Sequence, residues 1–418
     1  MSVFFEEQIS FLQNLSHFTP SKVVSGEYEL NLNAISELLS LTGNPENKLQ
    51  IIHVAGTNGK GSTIAFLSQI LIEAGLRVGV FTSPTLLHIT EQIRINNKFI
   101  SEDELAEEIL SIRPYIDKMI SLCHKPTTEF ETLTVIAFRY FLKKSCDIIL
   151  LECGLGGRTD ATNVIPSPIL SVITSIGLDH TEILGDTLEK IAAEKSGIIK
   201  QNGTVVVSQG PETVMDVFRN KCLNENAQLI IANHDISLKD ITLGLKGKYQ
   251  EANASLAVTC AMALKERGFN IPDAALSSGL SKASWPCRFE IFQSNPSFVI
   301  DGGHNIDGIT ALKNSLMANW PDKKFYFIVG VLKDKSYKRM MELLIPIAAS
   351  FYTVTVPSPR ALSADELSSY LNSLGAKSDS FAKIEDAVNA AILNSSPDDV
   401  ICAFGSLYFV GLVRKIIS

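Results

Sequence analysis

Long apolar runs are missing from this 418-residue chain: no uninterrupted hydrophobic stretch approaches the ~18 residues a membrane-spanning helix needs. Base is missing from the N-terminus, where Met1-Ser2-Val3-Phe4-Phe5-Glu6-Glu7 carries acid in place of the positive charge of a secretory leader. A cytoplasmic protein with no membrane partner is therefore expected. The seven cysteines, at 123, 146, 153, 222, 260, 287 and 402, are odd in number, scattered and never spaced C-x-x-C. Neither a disulfide framework nor a zinc site is indicated. Positive charge is in deficit, with 37 Lys and Arg against 45 Asp and Glu for a net charge of −8, which argues against a nucleic-acid partner. An anionic substrate must be held by local basic groups. Internal repeats and low-complexity segments are absent as well.

What is present is a globular composition, 45% hydrophobic and 20% charged, in a chain too long for one ordinary core. Its clearest feature is Ile51-Ile52-His53-Val54-Ala55-Gly56-Thr57-Asn58-Gly59-Lys60-Gly61-Ser62-Thr63. Apolar residues run into a glycine-bracketed turn and a lysine and hydroxyls follow. The periodic run Ile64, Phe66, Leu67, Ile70, Leu71 then reads as a helix. Backbone N–H groups of such a turn, with the open helix N-terminus behind it, cradle phosphate, and Lys60 adds a point charge toward the terminal phosphates. Gly56, Gly59 and Gly61 let the backbone approach a nucleotide. Gly56, Thr57, Asn58, Gly59, Lys60, Gly61, Ser62 and Thr63 are thus candidate ATP-binding residues. The spelling is a variant of the G-x-x-x-x-G-K-[ST] pattern, with Val54 at its first glycine position and Gly61 directly after the lysine.

Strand and helix patterns alternate on both sides of this loop. A helix is expected near the N-terminus with Phe4, Phe5, Ile9 and Leu12 on one face, and a second over Ile35 to Leu41. Strands are expected at Arg77 to Thr82, Cys146 to Glu152, Ile169 to Thr174 and Thr204 to Val207, with a hairpin at Ile93 to Ile100. Helices are expected at about Phe130 to Lys143, Asp186 to Ile199 and Glu251 to Glu266. Ser101 with Glu104, and Asp186 with Glu189, read as capping boxes. Such alternation means a mostly parallel sheet covered by helices on both faces. Near residues 281–287 the helical pattern stops and a second β/α series begins: Phe298 to Asp301, Phe325 to Val329, Phe351 to Val354 and Val400 to Phe404. Two domains are expected, 1–284 and 285–418.

In open α/β sheets ligands bind beyond the carboxyl ends of strands. Glu152 ends the most apolar strand, where a carboxylate comparable to a Walker-B acid commonly holds Mg²⁺. Ser83 and His180 also follow strands. Cys153-Gly154-Leu155-Gly156-Gly157-Arg158-Thr159 looks like a dinucleotide fingerprint, but Thr159 stands at the third glycine position and no helix follows, so that reading is rejected. A Gly-rich excursion carrying Arg158 and Asp160 better suits a mobile substrate loop. Asp301, His304 and Asn305 cluster at one strand end in the second series. Arg288 could reach a phosphate across a domain cleft, and Asn253 could read an adenine edge.

Taken together these segments resemble the folylpolyglutamate synthase and dihydrofolate synthase family, a branch of the Mur ligase superfamily of ATP-dependent amide-forming enzymes. The resemblance runs from about residue 30 to the C-terminus. It is carried by His53 to Ser62, Thr82-Ser83-Pro84, Phe130-Glu131 with Leu133-Thr134, Glu152 to Asn163, Ile173 to Thr181, Glu194-Lys195-Ser196-Gly197, and Asp301 to Asn305. It implies a P-loop-type, mostly parallel central domain followed by a smaller Rossmann-like α/β domain. It implies ATP and Mg²⁺ as cofactors, with a monovalent cation left open, and Ser83, Glu152, His180 and a carbamylated Lys195 as metal ligands. Asn253, Arg288 and Asp301 are then ATP-binding positions. Lys60, His180, Lys195 and His304 are the catalytic candidates, and Phe130, Arg158 and Asp160 lie on the folate side. This chain departs from the family's usual residues at Thr85, Gln92, Tyr249, Cys287 and Gly303.

The resemblance further implies that ATP phosphorylates the carboxylate of dihydropteroate or a reduced folate, that the L-glutamate amine attacks the acyl phosphate, and that two domains close about a hinge near 284–290. A monomer is expected. Two alternatives stay open: a Mur-type ligase with another carboxylate acceptor, and a non-ligase P-loop ATPase.

Overall fold

The computed structural model describes residues 3–16, 23, 30–122, 124–232, 241–292 and 295–418; Cys123 lies outside them. The chain forms two compact units. One comprises residues up to 84 with 89–242 and 252–282, and the other comprises 85–88, 243–251 and 283 onward.

The first unit is built on strands β1 (Ile51–Ala55), β2 (Val78–Phe81), β3 (Ile93–Ile95), β4 (Lys98–Phe99), β5 (Ile148–Glu152), β6 (Leu170–Ile173), β7 (Thr204–Val207) and β8 (Gln228–Ile231). Among the described residues they make one sheet in the order β4-β3-β2-β5-β1-β6-β7-β8. All neighbours are parallel except β2–β3 and β3–β4. Every residue of β1 and β5 is buried, which is why both read as continuous apolar runs instead of alternating ones. The hairpin turn between β3 and β4 uses Asn96 and Asn97, both at positive φ.

Capping fixes the helix starts. Ser101 with Glu104 forms the expected capping box, and Thr128 with Glu131 forms another that the sequence reading did not single out. Two expectations are corrected. The helix expected from Asp186 spans Leu188–Lys195, and its cap is Thr187, whose hydroxyl accepts from the Lys190 N–H; Asp186 pairs instead with Lys190 Nζ in solvent. In the helix Val3–Gln13 the inward face is Phe5, Gln8 and Leu12, whereas Phe4 is exposed, because adjacent helical residues point about 100° apart.

The second unit is organised by β9 (Glu290–Phe292), β10 (Ser297–Ile300), β11 (Phe325–Val329), β12 (Ala348–Val354), β13 (Ser378–Phe381) and β14 (Val400–Phe404), in the order β13-β12-β11-β14-β10-β9. Only β9 is antiparallel to its neighbour. Both faces are apolar, and successive residues serve opposite ones. Phe325, Phe327, Phe351 and Phe404 pack in one cluster, Ile328, Tyr352, Ile401 and Ala403 in the other. Phe327 stacks on Phe351 at 5.3 Å and meets Phe404 edge-on at 5.5 Å. No helix among the described residues is long and apolar enough to cross a membrane.

The helix Lys60–Glu73, which follows the glycine-rich loop, is buried without a break from Gly61 to Ser68. The helix Asp273–Lys282 lies against it through Gly279, where an added Cβ would fall 2.5 Å from Ile70 Cα and 2.6 Å from Ile70 N. Backbone cannot yield as a side chain can. Gly279→Ala is expected to lower stability by about 2 kcal/mol despite alanine's better helix propensity. Urea unfolding of the two proteins checks this.

Candidate functional site

β1 ends at Ala55 and the next helix begins at Lys60, so Gly56 to Gly59 must turn from a buried strand into a helix. Two of them use backbone angles that favour glycine, with φ at +149° for Gly56 and +88° for Gly59. Both are closed to a side chain: a Cβ on Gly56 would lie 1.7 Å from Thr174 Oγ1, and one on Gly59 2.3 Å from Asn253 Oδ1. The loop is laced to the end of β6. The Thr57 N–H donates to the Ser175 carbonyl (2.8 Å), and the Thr174 and Ser175 hydroxyls donate to the Asn58 carbonyl (2.7 and 3.1 Å). Thr57 Oγ1 donates to the Gly177 carbonyl and accepts from the Gly177 N–H, each at 3.1 Å. The sequence reading gave these two bracing hydroxyls no role; their signal was a Thr-Ser pair immediately past a strand.

Lys60 folds back over the turn, with Nζ 3.2 Å from the Gly56 carbonyl, 3.4 Å from that of Thr57 and 3.9 Å from Glu152 Oε1. Lys195, in the last turn of its helix, donates to the same Gly56 carbonyl at 2.8 Å. Glu152 is brought there because β5 lies beside β1, and the Ser83 N–H stands 3.4 Å from Glu152 Oε2. Lys60, Ser83, Glu152 and Lys195 therefore converge on one turn. Burial, and then repulsion from Lys60, push the Lys195 amine down to about 7. His180 stands at one remove. Its backbone is left-handed (φ +51°), its Nε2 is 3.9 Å from Asp179 Oδ1, and the Asp179 charge in turn acts on Lys195. Among the described residues no three His, Cys, Asp or Glu side chains group as a metal cluster.

The loop after β5 brings Asp160 to the same spot as Phe130, which stands in the helix Glu129–Lys143. A Cβ on Gly154 would lie 2.9 Å from Phe130 Cζ and 3.4 Å from Asp160 Oδ2. Arg158 goes elsewhere: its guanidinium is mostly exposed and takes Glu194 at 2.6 and 3.3 Å. In place of a loose excursion, the loop is tied down. Buried Asp160 accepts from the N–H groups of Leu155 (2.7 Å) and Thr162 (3.0 Å), and Asn163 Nδ2 donates to the Arg158 and Gly197 carbonyls. Burial raises the Asp160 carboxyl, and these donors oppose the shift. His53, fully buried in β1, is pushed down to about 3 by burial and by the Lys200 charge, so it is neutral.

In the second unit Asp301 is buried and fully engaged. Its Oδ2 accepts from Tyr249 Oη (2.7 Å) and the Phe289 N–H (2.9 Å), and its Oδ1 accepts from the Gly303 N–H (2.7 Å). Burial raises its carboxyl. His304 Nδ1 donates to the Gly302 carbonyl at 2.9 Å. Asn305 caps the helix Ile306–Asn319 through the Gly308 N–H. Arg288 lies over Gly302, with Nη1 2.9 Å from where a Cβ would be. Three of the departures noted in the sequence surround this carboxylate: Tyr249 and Gly303 donate to it, and Cys287, at φ +59°, opens the turn that aims the Phe289 N–H at it.

Residues 54–261 match the model of the Mur ligase middle domain, and residues 287–407 match that of the Mur ligase glutamate ligase domain. The chain belongs to the Mur ligase family. As a Mur ligase it is 35% identical over 409 residues to the dihydrofolate synthase/folylpolyglutamate synthase of Bacillus subtilis (strain 168), covering 92% of this chain and 94% of that protein. It is 32% identical over 423 residues to the folylpolyglutamate synthase of Lacticaseibacillus casei, covering 96% of each. Among solved structures, the Mycobacterium tuberculosis folylpolyglutamate synthase complexed with ADP superposes with a TM-score of 0.89 at 27% identity, over 99% of this chain and 98% of that one. E. coli FolC in complex with DHPP and ADP gives 0.85 at 28% identity, over 99% and 97%.

Gly56→Ala, which forces a Cβ into Thr174, should cost about 2 kcal/mol or more of ADP affinity, roughly thirtyfold, by calorimetry. His53 makes a second, pH-dependent prediction. Its folded value lies below the ordinary 6.5, so between 6.5 and about 3 the unfolded chain binds a proton that the fold refuses. Its contribution to stability is complete above 6.5 and is lost as pH falls toward 3. His53→Gln should remove a few kcal/mol of that acid-side slope in denaturant titrations run across this range.

Proposed function

We propose that this Mur ligase joins L-glutamate to the carboxylate of dihydropteroate and of reduced folates, at the cost of ATP. The observation that carries the reading is the turn at Gly56, where two lysines and a buried carboxylate meet over a loop shaped for phosphate. ATP seated on Gly56 to Thr63 hands its γ-phosphoryl group to the acceptor carboxylate. The glutamate amine attacks the acyl carbon, a C–N bond forms, the C–O bond to phosphate breaks, and the amine gives up a proton. Lys60, which reaches both loop and acid, neutralises charge on the phosphoryl group in flight. Asn253, which abuts Gly59, is placed to meet the nucleotide, and Arg288, Asp301 and His304 are assigned to the same reaction from the second unit. Phe130 and Asp160 are assigned to the pterin side; Arg158, paired with Glu194, is assigned to holding that loop.

The donors suit Mg²⁺, a hard cation that prefers oxygen and, keeping several of its waters, takes few protein ligands: Glu152 offers a buried carboxylate with Ser83 beside it. Ser83, Glu152 and His180 would hold it, and the ion would supply charge neutralisation at the transferring phosphoryl group. Lys195 fits a carbamate for a chemical reason. An amine pushed down to about 7 is half unprotonated near neutral pH, and only that form adds CO₂. The resulting anion would join the metal's ligands. The same reading has the protein act as a monomer in the cytoplasm.

Lys60→Ala is expected to cut glutamate-dependent ADP release by roughly 10³-fold with the melting temperature nearly unchanged; near-normal turnover overturns the assignment. Lys195→Ala should lose most activity and regain part of it with added acetate. An ADP-release panel using dihydropteroate, a reduced folate and a UDP-linked acceptor, each with and without glutamate, decides the acceptor. Response to the UDP-linked compound alone, or release independent of both substrates, sinks the folate reading.

A further inference from the structure

His53 has no part in the chemistry above, yet it is a fully buried polar side chain in the central strand of the sheet that carries the phosphate loop. Its Nε2 lies 2.8 Å from Thr162 Oγ1 and 3.0 Å from Cys153 Sγ. Thr162 Oγ1 has a single proton; of the two acceptors it faces, Asp160 Oδ1 is the near one and Cys153 Sγ lies at 3.5 Å, so the proton goes to Asp160. With that proton given to Asp160, the hydroxyl's lone pairs are left to accept, and the imidazole nitrogen 2.8 Å away is the donor that faces them. That fixes the tautomer: Nε2 carries the proton. Nδ1 is then a bare lone pair, which agrees with its being a buried nitrogen with no hydrogen-bond partner among the described residues. The orphan costs free energy, and the arrangement persists because the opposite nitrogen is committed.

We infer that His53 is a positioning residue that sets the acceptor-side loop through the chain His53 Nε2–H to Thr162 hydroxyl to Asp160 carboxylate. Asp160 receives the Leu155 N–H at its other oxygen, so the chain runs from β1 to the turn just past Glu152. Thr162 sits in the short helical turn Ala161–Val164, and nothing from β1 other than the imidazole is hydrogen-bonded to its hydroxyl among the described contacts. Lys200 steadies the far end, donating to the Asn163 carbonyl at 3.1 Å. A side chain from the phosphate-loop strand thereby determines where the loop beside Phe130 lies. The inference rests on the reading of this loop as the acceptor side.

Two variants break the chain at different links: Thr162→Val removes the hydroxyl at constant shape, and His53→Leu removes the donor. His53→Gln keeps an N–H donor near the Nε2 position and Thr162→Ser keeps the hydroxyl. Amide exchange at Leu155 reads the positioning itself. It should speed up by roughly tenfold or more in both breaking variants and stay near the parent rate in the conservative ones; unchanged protection in Thr162→Val overturns the inference whatever the kinetics show. In steady-state assays both breaking variants should raise KM for dihydropteroate by roughly tenfold with KM for ATP within about twofold, and the double variant should be no worse than either single one. Equal rises in both KM values also overturn it. Asp160→Asn separates the underlying reading: if it leaves KM for dihydropteroate unchanged, the loop is not on the acceptor side, while the exchange result still decides the role of His53.

Discussion

One backbone carbonyl, that of Gly56, receives both Lys60 and Lys195. Two ammonium groups drawn to one oxygen repel each other, and the structure resolves the conflict by burial, which holds Lys195 near neutrality while Lys60 keeps its place beside Glu152. Gly56 adopts a backbone angle that favours glycine, and because it has no Cβ Thr174 can pack into the space where a side chain would be. A tight turn, a buried amine and a carboxylate thus meet where one methyl group is absent.

The sheet supplies the rest by adjacency. β5, β1 and β6 are neighbours, so an acid, a glycine turn and a pair of hydroxyls meet at one edge although they are far apart along the chain. The loop after β5 is drawn back into the core by Asp160, which ties it to buried groups instead of leaving it to solvent. In the second unit Asp301 plays a comparable organising part, gathering donors from three segments around one carboxylate. In both places a buried carboxyl is engaged by several N–H and O–H donors, and at Asp301 the Arg288 charge adds to them.

How much of this is legible in the sequence follows from the range of the interactions. The turn from Gly56 to Thr63 announces itself because glycine, lysine and hydroxyl are local and in register between two periodic segments. β1, β7, β11 and β14 are readable because they are buried on both faces. The edge strands β8 and β13 are not: Gln228 to Ile231 is partly exposed, and Ser378 to Phe381 has a single apolar side chain, since an edge need bury little. Thr187 displaced Asp186 as a cap because the choice rests on one residue of register. The partners of Arg158, His53 and Asp301 lie 36, 109 and 52 residues away, and no pattern of spacing encodes them. Cys287 is the reverse case. Its left-handed backbone gives a physical reason for the glycine that the family usually places there.

The span between Gly56 and Lys195 has a consequence for biosynthesis. A ribosome delivers the glycine turn about 139 residues before the second lysine that completes it, with Thr174 arriving in between. Until β5 and β6 have flanked β1, the turn has neither its brace nor its acid. During that interval β1 is a largely apolar segment whose neighbours β5 and β6 have yet to be made.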